Sequence, residues 1–356
     1  MFLRVRFNVH PLLDNYQKKF GIGIFPAAAY LNHSCYPNAV VYADGFHRRV
    51  IVRSIASIKN SEEITYAYIN TYAPPQERQK LLMDGYKFVC RCQLCDPSGC
   101  PTHLTKSLRC GDAKCRGPMV VTQHHQPLRD SETDCRCVTL TCSPHILKDM
   151  RGVHSPASTP RDVFQCLVCG ATSAQSVGES IEQDFSRKLF SAISMSNSNP
   201  EASMQALLEL SNSDLAMKLH PLHMLQLDLL LASVSISLKV HRSEICEEAT
   251  RKAIHMLASV NRREVLRIAW LGAAHSIAAY SVYKKHGEAI NTQKQLEYFP
   301  MLGATSKSRG KWLEECLESS TRSYNTLKLV FGEDHELVEK SKTLAWKMRD
   351  AYFHRK

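Results

Sequence analysis

The distribution of cysteine constrains this chain most. There are 14 cysteines, and only Cys246 and Cys316 lie beyond Cys169. A thiol-dense segment can be stapled by disulfides or by metal. The first residues, Met1 to Arg6, show no apolar core with a small-residue cleavage site, so no secretion signal is expected there. The thiols also fall in close CxC and CxxC pairs, a spacing that suits metal better than disulfides. Cys90, Cys92 and Cys95 place three thiolates within six residues, and a closed tetrahedral zinc site needs a fourth. Cys110-x4-Cys115 and Cys166-x2-Cys169 make a second set. Each of these pairs is followed one or two residues on by glycine, as zinc knuckles often are. Between them, Cys135, Cys137, Cys142 and His145 form a further site, swap into the second set, or are free thiols of a variable insert. Cys100, Cys246 and Cys316 read as ordinary thiols, and His124-His125 as solvated. The chain is expected to be an intracellular zinc protein, cytoplasmic or nuclear.

Three zones differ in character, and 356 residues suffice for two or three domains. Residues 1–89 hold short Val/Ile/Tyr runs (39–42, 49–52, 63–66) broken by turn residues, which predict strands. Residues 74–84, opening on a proline pair, predict a short helix. Residues 90–178 hold most of the cysteines with little period, as in a metal-stapled lobe; within them, 121–162 is a polar insert expected to be partly disordered. From 179 to 356, apolar spacings of three and four predict helices at 179–197, 200–218, 222–240, 243–259, 262–286, 310–331 and 334–352. Their lengths suggest a helical-repeat array, although no repeat signature stands out. The fold class is therefore α+β: a β-rich part, a zinc-bound cysteine lobe and an all-α domain.

The net charge of +11 is spread along the chain with no long basic block. With no finger of two-Cys, two-His spacing either, nucleic acid is not favoured as a partner. No apolar run approaches the ~20 residues of a membrane span, so no membrane association is expected.

Residues 21–38, GIGIFPAAAYLNHSCYPN, carry the chemistry. Asn32 and His33 offer an amide and an imidazole beside a potential metal thiolate at Cys35, and Pro37-Asn38 turns the chain. A polar loop with a buried cysteine fits the same residues. Two further elements follow: Glu62-Glu63-Ile64-Thr65-Tyr66-Ala67-Tyr68, and Tyr86-x-Phe88-x-Cys90-x-Cys92-x2-Cys95. In order and spacing, the three resemble the NHSCxPN segment, the acidic strand ending in tyrosine and the post-SET CxCxxC of SET-domain methyltransferases. Gly21 to Pro26, and Arg78-Gln79-Lys80-Leu81-Leu82 ahead of Tyr86, resemble the SET- and MYND-domain (SMYD) branch, with the extra cysteine lobe closest to its group-four members.

The resemblance implies a partial SET domain in 1–89, a post-SET and additional zinc lobe in 90–178, and a TPR-like helical domain in 179–356. It implies S-adenosylmethionine as cofactor, with Asn32, His33, Tyr68 and Phe88 binding it. Tyr68 is expected to face the transferring methyl group; Tyr66 competes for that role, because alternation puts both on one face of a strand. Tyr86 would wall the lysine channel. Cys35 would complete the zinc site of Cys90, Cys92 and Cys95; a second zinc on Cys110, Cys115, Cys166 and Cys169 is expected from the spacing of the pairs alone. Methyl transfer from a sulfonium to an amine needs in-line geometry and a neutral lysine, which a narrow aromatic channel favours; no covalent intermediate is required. The implied partners are a protein substrate, histone or not, presenting a lysine, and a chaperone or other protein on the helical domain.

Family members also carry an upstream SET segment split by a MYND finger. Here 20 residues precede Gly21, and Cys35 is the first cysteine. Residues 1–20 fall where the family has an inserted helical segment. The expectation is a chain weakly active or inactive alone. A non-catalytic zinc-containing interaction scaffold built on the helical array is the alternative function.

Overall fold

The structure, a computed structural model, describes residues 9–13, 19–44, 49–95, 101–121, 163–287 and 309–353. Cys100, His124, His125, Cys135, Cys137, Cys142 and His145 lie outside these residues, as does the polar insert up to residue 162; nothing is described of the Cys316 side chain.

The N-terminal part is built of short strands. β1 (Val9–Leu13) pairs antiparallel with β2 (Lys19–Ile24). Within residues 1–20, the described residues 9–13 and 19–20 are thus strand and not part of a helical insert. Pro11 cannot donate a backbone hydrogen bond and is poorly tolerated inside a helix, whereas a two-stranded ribbon accommodates it at an edge. After the one-turn helix α1 (Pro26–Ala29) comes β3 (Asn32–His33), then the antiparallel pair β4 (Ala39–Asp44) and β5 (Arg49–Ser54). β6 (Thr65–Tyr66) pairs parallel with β3. The expected strand at 63–66 is thus trimmed to two residues. The side chain of Asn38 occupies the preceding backbone: it donates to the Glu63 carbonyl at 2.8 Å and accepts from Thr65 N–H at 2.9 Å.

Helix α2 (Pro75–Tyr86) opens on the proline pair as expected and ends where Lys87 enters the left-handed region at φ 65°. That reversal aims Phe88 and Cys90 back across the helix, and Gln79 fixes them there. Its side-chain amide donates to the Cys90 carbonyl at 2.7 Å, and its carbonyl accepts from Cys90 N–H at 3.0 Å.

A 3-10 helix (Pro101–Lys106) leads into a four-stranded antiparallel sheet in the order β10-β9-β8-β7, with β7 (Leu108–Arg109), β8 (Pro118–Val121), β9 (Val163–Cys166) and β10 (Thr172–Ala174). β10 runs straight into α3 (Gln175–Ser194). Gly178 sits there because a Cβ would lie 2.3 Å from the Phe164 ring; its absence lets helix and sheet close into one core with Phe185, Leu189, Leu207 and Leu219.

The remaining helices are α4 (Pro200–Ser211), α5 (Asp214–Lys218), α6 (Met224–Lys239), α7 (Ser243–Val260), α8 (Val265–Gly287), α9 (Arg309–Phe331) and α10 (Glu336–Phe353). They match the sequence expectation except at 200–218, which breaks in two. Ser213 is the reason: its hydroxyl caps a new helix by accepting from Ala216 N–H, an option that Ser and Asn offer against helix continuation. From α6 onward each helix packs on the next. α8 contains a stretch, Val265–Val282, apolar enough by length and composition to cross a membrane. The sequence reading did not anticipate it. Its small residues are spent inside the bundle, where Ala269 and Ala279 have no exposure. A further core joins Val40 and Tyr42 of β4 to Leu327, Val330 and Phe331 of α9, so the β-rich part rests on the helices.

Candidate active site

β3 and β6 bring the sequence candidates together. Their pairing sets Asn32 opposite Thr65 and His33 opposite Tyr66, and Ser34 N–H continues it to the Tyr66 carbonyl at 3.1 Å. Tyr68 lies beyond the strand because its N–H is taken by a side chain, His33 Nδ1, at 3.0 Å. With Nδ1 accepting, the ring proton belongs on Nε2, which sits 3.2 Å from Cys35 Sγ. One imidazole thereby links the Tyr68 backbone to the cysteine cluster.

Around that imidazole the aromatic rings gather. Tyr68 lies 4.8 Å from Tyr86 and 4.8 Å from Tyr66 between centroids, and Phe88 lies 5.9 Å from His33. The Tyr68 hydroxyl donates to the Leu31 carbonyl at 2.5 Å. Burial raises the phenols of Tyr68 and Tyr86, with the neighbouring Tyr86 adding to the shift at Tyr68, so both stay neutral hydroxyls near neutral pH. A cavity of about 840 Å³ opens beside them, lined by Asn32, His33, Tyr68, Tyr86, Phe88 and Arg263 among others. Tyr68 faces it, whereas Tyr66 is absent from its wall and backs the Tyr68 ring. Asn32 donates to Glu63 Oε1 at 2.5 Å at its edge. The wall thus offers apolar ring faces together with carboxylate, amide and guanidinium groups. It fits a mid-sized ligand carrying a flat base, a cation and an anion, as S-adenosylmethionine does.

Sequence reasoning missed what the helices contribute. Arg263 lies on the short link between α7 and α8, lines the cavity and stands over the Tyr36 ring at 4.9 Å. Its neighbour Asn261 donates to the Cys35 carbonyl at 3.0 Å and to Thr71 Oγ1 at 2.8 Å. Glu264 accepts from Thr71 N–H at 3.2 Å and from the Thr71 hydroxyl. No local motif signals residues that act 226 positions from their partner.

The cysteines converge as two groups of four. In each, the four Sγ atoms lie within 4.8 Å of one another: Cys35, Cys90, Cys92 and Cys95 in one, and Cys110, Cys115, Cys166 and Cys169 in the other. Tetrahedral zinc with bonds of about 2.3 Å separates its sulfurs by about 3.8 Å. The observed Cys35–Cys95, Cys110–Cys169 and Cys115–Cys166 separations are each 3.6 Å, so both donor sets fit zinc. Hydrogen bonds with Cys35 hold the Cys90 and Cys92 thiols below their ordinary value, Cys92 to about 5, while Cys35 is pushed up. The protons are shared unevenly, and a divalent ion would displace them. In the second group the two knuckles turn differently. Gly170 follows Cys169 at φ 74°, but after Cys115 it is Arg116, not the glycine, that takes the left-handed turn at φ 49°. Cys246 is buried in the helical core, as an ordinary thiol.

Comparison with known proteins fits this geometry. Residues 8–69 match the model of the SET domain family. The chain is 32% identical over 170 residues to histone-lysine N-methyltransferase ASHR1 of Arabidopsis thaliana, covering 44% of this chain and 33% of that protein. It is 37% identical over 95 residues to N-lysine methyltransferase SMYD2 of Homo sapiens, covering 27% and 22% respectively. A SET and MYND domain-containing protein of Dictyostelium discoideum is 27% identical over 144 residues, covering 39% and 36%. The chain thus spans between about a fifth and just over a third of the curated relatives it matches.

Proposed function

We propose that this SET-domain relative of the SMYD proteins is an S-adenosylmethionine-dependent protein-lysine N-methyltransferase. The observation that carries the reading is the convergence of Asn32, His33, Tyr68, Tyr86 and Phe88 on one cavity, beside a four-cysteine cluster that shares Cys35 with the same segment. The cofactor, when bound, supplies an electrophilic methyl group on a sulfonium. Asn32 would bind it through its amide, His33 would lie against it with both ring nitrogens already taken by Tyr68 N–H and Cys35 Sγ, and Phe88 would offer its ring to the base. Tyr68 and Tyr86, kept neutral by burial, form the aromatic passage that admits the lysine and disfavours its charged form. Tyr68 orients the amine at the methyl group, a role that needs a fixed hydroxyl and no covalent step. Cys35, Cys90, Cys92 and Cys95 would hold one zinc, which would tie the passage to the Asn32–His33 segment, and Cys110, Cys115, Cys166 and Cys169 would hold a second, which would staple the lobe ahead of the helices. The substrate is a protein lysine, on a histone or another protein. The protein is cytoplasmic or nuclear, and the helices form a TPR-like surface for a chaperone or other protein. The 356-residue chain by itself is weakly active or inactive.

The test is transfer of a labelled methyl group to histones and cell-extract proteins, made with the longest product of the gene and with the 356-residue chain. The longest product should transfer label, and Tyr68→Phe should lower the rate at least about tenfold through lost orientation. Absence of transfer by the longest product would remove the reading and leave the interaction scaffold.

A further inference from the structure

Among the described residues, Arg78 is the largest side chain with no exposure to solvent. It stands on α2, one turn in from the proline pair, and points under the loop that carries Cys90 to Cys95. Its guanidinium donates to the Ala73 carbonyl at 2.6 Å, to the Leu94 carbonyl at 2.9 Å and, at the long limit, to the Thr71 carbonyl at 3.4 Å. Its Nε has no partner. Among the described residues no carboxylate oxygen lies within 4.0 Å of its nitrogens; the remaining neighbour is Cys95 Sγ, at 3.7 Å from Nη2. Arginine does not shed its proton in proteins, and a buried cation without an anion is strongly unfavourable. The geometry leaves the cysteine cluster itself as the anion beside this cation, and a zinc tetrathiolate carries a net charge of about −2.

We propose that Arg78 is the fixed counter-cation of the metal centre formed by Cys35, Cys90, Cys92 and Cys95, and that it positions this centre. The proposal rests on the reading that this cluster holds zinc. One end of the guanidinium fork balances the charge gathered at Cys95. The same nitrogen, Nη2, holds the Leu94 carbonyl, and Nη1 at the other end holds the carbonyls of Thr71 and Ala73, just past Tyr68. The charge of the ion and the placing of the segment after Tyr68 are thereby served by one side chain. Among the described residues the sulfurs of the second cluster hydrogen-bond to one another and to backbone N–H groups, with no side-chain cation among those bonds. That cluster serves as an internal reference.

The experiment measures zinc content and its loss to increasing chelator in the full chain, comparing Arg78→Met, which removes the charge, with Arg78→Lys, which keeps it. Cys166→Ser identifies which release step belongs to the second cluster. Arg78→Met should lose the first zinc at about tenfold lower chelator concentration with the second step unmoved, and Arg78→Lys should recover most of the difference. In cobalt-substituted protein, the sulfur-to-cobalt charge-transfer bands should shift in Arg78→Met and return in Arg78→Lys. Equal retention by wild type and Arg78→Met overturns the proposal. So does an Arg78→Lys protein as weak as Arg78→Met, because the fork's hydrogen bonds rather than its charge would then matter. Should Arg78→Met not fold, Arg78→Lys decides alone: normal zinc retention and cobalt bands uphold the proposal, and loss of the first zinc overturns it. A wild-type chain with no zinc at the first cluster would instead refute the zinc reading beneath it.

Discussion

His33 is the side chain on which the site turns. Its ring accepts from the Tyr68 backbone on one side and approaches Cys35 Sγ on the other, so one side chain joins the Asn32–His33 segment, Tyr68 and the cysteine cluster. The motif made His33 legible as a polar group beside a thiolate; the link to the Tyr68 backbone was not, because it requires the chain to leave strand geometry after Tyr66. The tyrosines themselves yield a pH prediction. Burial raises both phenols, so neither ionises below the ordinary tyrosine value of about 10. Methyl transfer should therefore rise with pH as the substrate lysine deprotonates, with no falling limb below about pH 10. A pH–rate profile that turns down between pH 8 and pH 9 on ionisation of a phenol would contradict this assignment. Two histidines make a separate prediction for stability. Burial holds His220 down to about 3 and His275 down to about 4. The unfolded chain takes up these protons near pH 6.5, where the folded one refuses them. Stability is thus fully present above about 6.5 and falls as the pH drops toward the folded values, by roughly 1.4 kcal/mol per pH unit for each histidine. Urea unfolding at pH 7.5, 6 and 5 should show a smaller loss in His275→Gln than in wild type.

Among the elements, the helices were the most readable, since three- and four-residue spacing survives in the chain whatever it packs against. Their ends were less so: Ser213 broke one expected helix by capping the next. The strands were the least readable, because two-residue pairings such as β3 with β6 leave almost no periodic trace. The cysteine knuckles were legible as spacing, yet the approach of Cys110 to Cys169 and of Cys115 to Cys166 is a property of the sheet that carries them. The two clusters should behave as independent units. Purified protein should contain two zinc ions. Cys35→Ser should remove one and weaken cofactor binding with it, because Cys35 shares its segment with Asn32 and His33. Cys166→Ser should remove the other and leave transfer by the longest gene product within about twofold, given that distant sites act independently. Metal analysis beside the transfer assay checks both, and a Cys166→Ser protein that loses transfer would show the clusters to be coupled.

In the whole molecule, the helical part is a wall of the site as well as a support. Asn261 holds the Cys35 carbonyl, Glu264 holds Thr71, and Arg263 reaches the cavity. Only folding brings positions 35, 71 and 261 together, which is why the sequence named the motif and not its clamp. Asn261→Ala would leave the Cys35 carbonyl without this donor in a buried place. It should cost about 1–3 kcal/mol of stability in urea unfolding and lower the rate of transfer. The central claim is that this assembly presents a lysine amine to a methyl donor at Tyr68. The most direct measurement is tandem mass spectrometry of proteins incubated with the longest gene product and an isotopically labelled methyl donor. The account predicts label on lysine side chains, lost in Tyr68→Phe. Label on another residue type, no label, or label that survives the substitution unchanged would contradict it.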